Sequence, residues 1–487
     1  MATVYKHGTY GEFAPTIARA STQSDTMAVY VGTAPVNLIR GYAAYVNEPV
    51  YLTDLTNTRR RLGYSDNWET FTLCEAFKAH FDNPIGTNVG PIIAINVLDP
   101  NVHKKSSQTT KQLTFANKKA IIEGDTIILD TLALADKVEG TDYSVEYDWT
   151  RMQTVITDIS ASGITGQVQA SYNEIDTTSL DKDDIIGGVT ESGVYTGLGC
   201  VNLIYQELNR IPNIIAAPGW ATDPEVYRAM VSAGTDIDGH WNAVAIADIP
   251  VEDNDTRAEA ISWKNTNAYT NERSKVCWPM GQDVYGNIYH LSTACVWGML
   301  VTDANNGGIP METPSNKQTF IAKQYFGAES TNRGFTQTQA NELNASGITT
   351  VCYWGAKWVL WGPHTAAYEF NADNDARAIF DNSIRMMMYT LNSFQQEHAP
   401  VIDKPMTRAL KDTILNREQT KADALAARGA LLGQPVVSFE ESDNSTADMV
   451  EGNFVWAFRG TTTPPFKSGT LKVAYTDEGI DDYIGGE

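Results

Sequence analysis

Ser232, Asp236, Asp238 and His240 lie close together in this chain and carry the groups of a hydrolase or a metal site. Acyl transfer needs a nucleophile, a base and a third group that orients the base, all held in one geometry. No nucleophile elbow accompanies these residues, and a helix end followed by a polar turn accounts for them equally well. His364 and His398, with Glu369, Asp373, Asp375 and Glu397 nearby, are metal-ligand types. Zinc selects inward-facing ligands, however, and neither a His-Glu-x-x-His pattern nor a close Cys/His cluster is present. The two histidines therefore read as scattered surface residues. Residues 186–189 and 193–199 are glycine-rich but lack a Walker lysine. The second run precedes a helix and has amides to offer an anion; a glycine turn admitting a tight chain crossing is the simpler account. Trp354, Trp358 and Trp361 have ring faces for stacking, but their apolar company points to core or interface packing. The expectation is no catalytic residue, no cofactor and no metal.

Lys404, Arg408 and Lys411 recur at helical spacing, with Met406, Leu410 and Ile414 facing another way. The chain has 36 basic and 59 acidic residues and a net charge of -23. On such a chain a basic ridge fits a complementary acidic surface; a solvated helix face with no partner is the competing account. The same charge argues against general nucleic-acid binding, which needs clustered Lys and Arg. Cys74, Cys200, Cys277, Cys295 and Cys352 lie far apart and read as reduced, mostly buried thiols. No run reaches the roughly 18 apolar residues that span a bilayer, and no charged head followed by an apolar stretch opens the chain. A soluble protein folded in the cytosol is expected.

The elements that must position these residues follow from periodicity. Met27 to Pro35, Ile92 to Val97, Ile211 to Gly219, Ala243 to Asp248 and Ser274 to Pro279 read as apolar strands. They alternate with helices predicted over Trp68 to His80, Val201 to Arg210, from Pro224, and near residues 255–268. Strands alternating with helices of this length indicate a doubly wound parallel sheet. Residues 101–190 change character: short strands at Gln112 to Phe115, Thr126 to Leu129, Tyr143 to Tyr147 and Thr154 to Thr157 form an inserted β-rich module. A third, α+β region starts near residue 370. It contains helices over Asp375 to Phe394 and Pro405 to about Asn416, then strands at Pro435 to Glu440 and Asn453 to Phe458.

Both ends read as β-strands without an obvious partner. Val4, Tyr5, His7, Tyr10 and Phe13 carry the first, broken by Gly8 and Gly11; Leu471, Val473 and Tyr475 alternate in the second, with Gly469 before them. Such arms satisfy their backbone by sheet addition to a neighbour or by folding back onto their own domain. The expected organisation is an N-terminal arm (1–15), an α/β core (16–100 and 191–369), an inserted outer β-rich domain (101–190), a C-terminal α+β domain (370–466) and a C-terminal arm (467–487).

Arranged in this order, the chain resembles the contractile tail sheath proteins of bacteriophages, R-type bacteriocins and related contractile injection systems. The resemblance rests on His7-Gly8-Thr9-Tyr10-Gly11-Glu12, similar to the family's opening with Pro-Gly-Val-Tyr; on Pro212 to Gly219; on Ile309-Pro310 through Lys317; on Trp361-Gly362-Pro363-His364-Thr365, similar to the family's Trp-Gly-Ala-Arg-Thr; and on the long helix with Arg385 and Phe394. Thr9 and Pro363-His364 depart from the family pattern. The resemblance implies subunits in stacked hexameric rings around an inner tube, with baseplate and tail-terminator proteins as further partners. It also implies contraction that drives the tube through a cell envelope, and arms that link neighbours, with glycines Gly8, Gly11 and Gly469 allowing bends. Lys404, Arg408 and Lys411 would face the tube. The central domain is similar to the subtilisin architecture, although sheaths are not proteases. Production in the bacterial cytoplasm and residence in a phage tail or released particle follow from the same resemblance. An α/β hydrolase-like enzyme with an accessory β-domain and a carbohydrate-binding structural protein are the alternatives.

Overall fold

The computed structural model describes residues 22–252, 254–326 and 334–484. Its centre is an eight-stranded mixed sheet built from β1 (Thr22–Gly32), β2 (Pro49–Leu52), β3 (Val89–Asn96), β4 (Ile214–Ala216), β5 (Val244–Asp248), β6 (Ser274–Cys277), β7 (Ile348–Trp354) and β8 (Lys357–Trp361), in the order β8-β7-β6-β5-β4-β1-β3-β2. Neighbours from β7 across to β3 are parallel, and the marginal pairs β7–β8 and β2–β3 are antiparallel. Alternate residues serve two cores. Ala28, Tyr30, Ile92, Ala94, Ile214 and Ile246 face one, closed by the helices Leu73–Phe81 and Leu291–Asn305. Val29, Val31, Ile93, Ile215, Ala245 and Val276 face the other, closed by Pro224–Ala233 and Gln337–Ala345. Burial on both faces is why these strands read as unbroken apolar runs.

Between β3 and β4, two three-stranded antiparallel sheets share a core of their own around Leu113, Ile122, Leu134, Tyr143 and Ile156. After β8 come the helices Asp381–His398 and Arg408–Ala427, then a hairpin of Leu431–Ser438 with Ala457–Thr462. All five cysteines are buried and free. Among the described residues no helix is long and apolar enough to cross a membrane.

Several expected elements differ. Residues 126–129 form an isolated bridge and a short 3-10 turn, because Asn37 Nδ2 takes the carbonyls of Asp125 and Ile127 at 2.8 and 2.9 Å. The helix expected over 201–210 is a 3-10 segment, Gly197–Leu203, passing into Ile204–Leu208 and ending at Asn209 with φ 51. The long helix begins at Asp381 rather than Asp375, whose carboxylate instead holds the turn through Arg377 N at 2.9 Å. The next helix begins after Thr407, which caps Leu410 N at 3.1 Å, and runs well past Asn416 to Ala427. Leu291–Asn305 lacks the one-sided pattern that marks a helix: it is apolar nearly all round because it lies inside the fold.

Candidate assembly interface

The residues with chemical promise do not assemble a catalytic centre. Ser232 sits near the end of the helix Pro224–Ala233, and Asp236, Asp238 and His240 are exposed. Both aspartates have φ 51, the geometry of a polar turn, and His240 meets Gln395 through Nδ1 at 3.3 Å. The two histidines expected at the surface are buried. His364 lies between the rings of Tyr368 and Phe380, at 3.6 and 5.1 Å, with Nδ1 against the Ile379 carbonyl; burial lowers its pKa to about 4. His398 meets Glu418 at 2.7 Å. Among the described residues no three potential metal ligands converge. The glycine-rich turn has a steric explanation: a Cβ on Gly187 would lie 2.1 Å from the Thr196 carbonyl oxygen. A cleft of about 360 Å³ lies between β1 and the long helix, lined among others by Arg210, Asn213, Asn392 and Glu397, with neither histidine nor cysteine in its walls.

One buried polar cluster escaped sequence reasoning because its members are scattered along the chain. Glu75, on the helix Leu73–Phe81, accepts from the backbone N–H of His290 at 2.8 Å and meets its Nδ1 at 2.7 Å. Asp248, at the end of β5, accepts from Ser292 N at 2.8 Å. Burial acts to lower the His290 pKa, but the charges of Glu75, Asp248 and Glu252 overcome it and raise the value to about 9. A raised histidine pKa stabilises the fold fully below the unfolded value of 6.5 and loses that contribution as pH rises through 9. Asp248, raised to about 6 by burial, titrates across the lower end of this window and leaves its upper part to His290. The stability difference between the native chain and His290→Gln should therefore be largest near pH 6 and shrink by pH 10, as read by urea midpoints; a difference independent of pH would refute the pairing.

The basic ridge is shorter than its spacing implied. Lys404 lies in the turn before the helix, so it shares no helical face with Arg408, the first helical residue. Lys411 pairs with Asp412 at 2.9 Å and lies 5.3 Å from the Phe439 ring centre. Lys404 and Arg408 are exposed. The residues Val4, Tyr5, His7, Gly8, Tyr10, Gly11 and Phe13 lie outside the described residues.

The other end of the chain is visible and unusual. After Thr462 the chain runs without strand or helix to residue 476, and Leu471, Val473 and Tyr475 are 86, 85 and 83 % exposed. Scattered exposed apolar residues are ordinary, but an alternating exposed row on a segment with no backbone partner among the described residues has the pattern of one face of a strand. Lys467 starts this segment over the Tyr368 ring. Gly469 keeps an ordinary φ, and the ring of Phe466 occupies the space a Cβ would need.

The helix Asp381–His398 anchors this end to the sheet by buried charge. Lys275 Nζ, on β6, reaches Asp381 Oδ2 at 2.6 Å and also donates to the carbonyls of Gly362 and His364. One turn on, Arg385 pairs with Asp303, which also accepts from Thr26 of β1 at 2.7 Å. Burial raises the Asp303 pKa, and Arg385 opposes that shift. Further along, Asn392 and Asn242 exchange hydrogen bonds at 2.9 and 3.0 Å.

The described residues thus form an α/β body with an exposed C-terminal segment that pairs with none of them. No family model matches the chain. It is 25% identical to the tail sheath protein of Burkholderia phage BcepMu, over 94% of this chain and 93% of that one. Its homologues are tail sheath proteins. The major tail sheath protein of Serratia phage KSP20 is 23% identical, over 74% of this chain and 92% of its own. In three dimensions the fold matches a chain of the sheath complex of an extracellular contractile injection system in its contracted state, with a TM-score of 0.53 at 10% identity, covering 98% of this chain and all of that one. The sheath homologues are structural proteins.

Proposed function

We propose that this chain is the structural subunit of a contractile sheath, polymerising around an inner tube and contracting to drive that tube through a target envelope. The near-complete alignment with the phage BcepMu tail sheath protein carries the reading. In this assignment residues 16–100 and 191–369 are the doubly wound body, 101–190 an inserted outer domain, 370–466 the assembly domain, and 1–15 and 467–487 the linking arms. The arms add strands to assembly domains of neighbouring copies, which keeps the subunits connected while their bodies rotate. A net hydrogen bond contributes roughly 0.5–1.5 kcal/mol, so an arm making about five supplies only several kcal/mol. Many such links acting together still give a persistent lattice, because later contacts are effectively intramolecular. Other subunits, the tube protein, and baseplate and tail-terminator proteins are the partners. Energy for contraction resides in intersubunit packing that differs between the extended and contracted lattices.

Negative-stain microscopy of the purified chain, alone and with tube protein, tests this directly: hollow cylinders are expected, and individual particles under all conditions would reject it. Within the assembly domain, Lys404 and Arg408 with Lys411 beside them face the tube. Lys404→Glu with Arg408→Glu should weaken assembly on tubes about tenfold at low salt, less at high salt, and spare tube-free polymerisation. Equal losses with and without tube would remove the tube from this assignment.

A further inference from the structure

The β7–β8 hairpin runs past the core of the central sheet. Val351, Cys352, Val359 and Leu360 are buried, whereas Tyr353 and Trp354 at its tip are 58 and 49 % exposed. Trp354 pairs with Lys357 across the two-residue loop Gly355-Ala356, whose φ angles of 57 and 64 belong to the tight turn that matches strand twist. Each tip ring leans on a ring of β8: Tyr353 on Trp358 at 5.9 Å and Trp354 on Trp361 at 6.1 Å between centres. The tip is therefore a braced aromatic knob. Lys357 beside it is exposed and forms no ion pair among the described residues.

A hollow that suits such a knob lies at the other end of the same sheet. β7 runs parallel to β6, β5, β4 and β1, so the tip stands at their C-terminal ends. The cleft of about 360 Å³ is walled by residues near the start of β1 and by Asn213 and Asn242, which precede β4 and β5, and so opens at the N-terminal ends. Its volume falls in the range of about 300–1,000 Å³ that encloses ring-sized groups. Met27, Ile211 and Tyr389 give it apolar surface, and Arg210 offers a guanidinium to an aromatic face. Asp25, an exposed residue of its wall without an ion pair among the described residues, carries the charge opposite to Lys357.

We infer that the tip Tyr353–Lys357 of one copy docks in this cleft of a second copy, with Trp354 against Arg210 and Lys357 toward Asp25. This rests on the sheath reading above and adds to it a contact between bodies that involves neither terminal arm. Knob and cleft sit at opposite ends of one sheet, so a copy cannot fill its own cleft with its own tip. Head-to-tail contacts of this kind build rings or filaments. The tip lies at the β7–β8 margin and the cleft under β4 and β1, three or four strand spacings away, so successive copies are offset sideways by about 14–19 Å. Such an offset turns a straight stack into a staggered one.

Thiol accessibility in the full chain tests the docking, with little background because the native cysteines are buried. Gln396→Cys, in the cleft wall, should react readily with a maleimide in monomers and about tenfold more slowly in cylinders. Trp354→Ala should raise the concentration needed for cylinders about thirtyfold with an unchanged circular dichroism spectrum. Lys357→Glu and Asp25→Lys should each raise it about fivefold, and both on one chain should restore it. A thiol equally slow in monomers and cylinders would mean that the chain's own residues, 1–21 among them, fill the cleft; one equally fast in both would mean that nothing does. Either result overturns the docking and leaves the sheath reading standing, and charge reversals whose effects add instead of cancelling would overturn the Lys357–Asp25 pairing. Chains that form no cylinders before any substitution would overturn the sheath reading, and this inference with it.

Discussion

A chain ending at residue 467 should fold normally and fail to form cylinders. The truncation leaves the hairpin and its attachments intact, including Thr463 N to the Ala430 carbonyl and the Thr463 carbonyl to Asn382 Nδ2, at 3.1 and 3.0 Å. The residues it removes whose burial is described are exposed, so their contribution to the isolated subunit is within about 0.5 kcal/mol. Between copies the account differs. Strand addition brings several backbone hydrogen bonds and covers Leu471, Val473 and Tyr475, each apolar side chain being worth about 1.5–3 kcal/mol when fully buried. Ordering the segment offsets part of this. A residual few kcal/mol per link, repeated along a lattice, changes polymerisation by orders of magnitude, since each 1.4 kcal/mol is about tenfold in an equilibrium. Sedimentation velocity and negative stain should show monomers with an unchanged circular dichroism spectrum. Cylinders of normal length from the truncated chain would show that the segment links nothing. Removing residues 1–12 should have the same consequence through the other arm.

The second large effect is expected inside the subunit. Arg385→Ala should cost about 3–5 kcal/mol, because Asp303 is fully buried and would keep, among the described residues, only Thr26 as a close donor. The pair joins three separate pieces of chain, β1, the helix Leu291–Asn305 and the helix Asp381–His398, so its loss loosens the last region from the sheet. Replacing both members, Asp303→Leu with Arg385→Met, should recover most of the loss, since a buried ion pair and a well-packed apolar pair are often near parity. Urea unfolding followed by tryptophan fluorescence reads both variants. If the single substitution costs less than about 1 kcal/mol, the long helix is held by packing and by Lys275–Asp381 instead.

For a sheath the rigid attachment has a mechanical use. Under the proposed function, subunits linked through terminal strands while their bodies rotate would need the strand-bearing region to move with the body. The two buried pairs at Asp381 and Arg385 and the amide exchange between Asn242 and Asn392 fix the helix beneath that region at three points along its length.

Local pattern was sufficient where each residue's environment repeats with the element's own period. β1, β3, β5 and β6 announced themselves as apolar runs because both faces of the sheet are covered, and Leu471, Val473 and Tyr475 alternated whether or not a partner strand was present. The charge balance, the dispersed cysteines and the absence of a nucleophile elbow were equally plain in one dimension. Other features depend on distant residues and left no local mark. Leu291–Asn305 is apolar all round because it is enclosed. His364 and His398 are buried because aromatic rings and Glu418 reach them from elsewhere. Lys404 leaves the basic ridge because Thr407, not Pro405, starts the helix. Gln419 bonds Val437 and Pro435 of the last hairpin because helix packing brings it there. Periodicity is set by neighbours along the chain, whereas charge pairing, enclosure and edge protection are set by neighbours across space, and folding alone decides those.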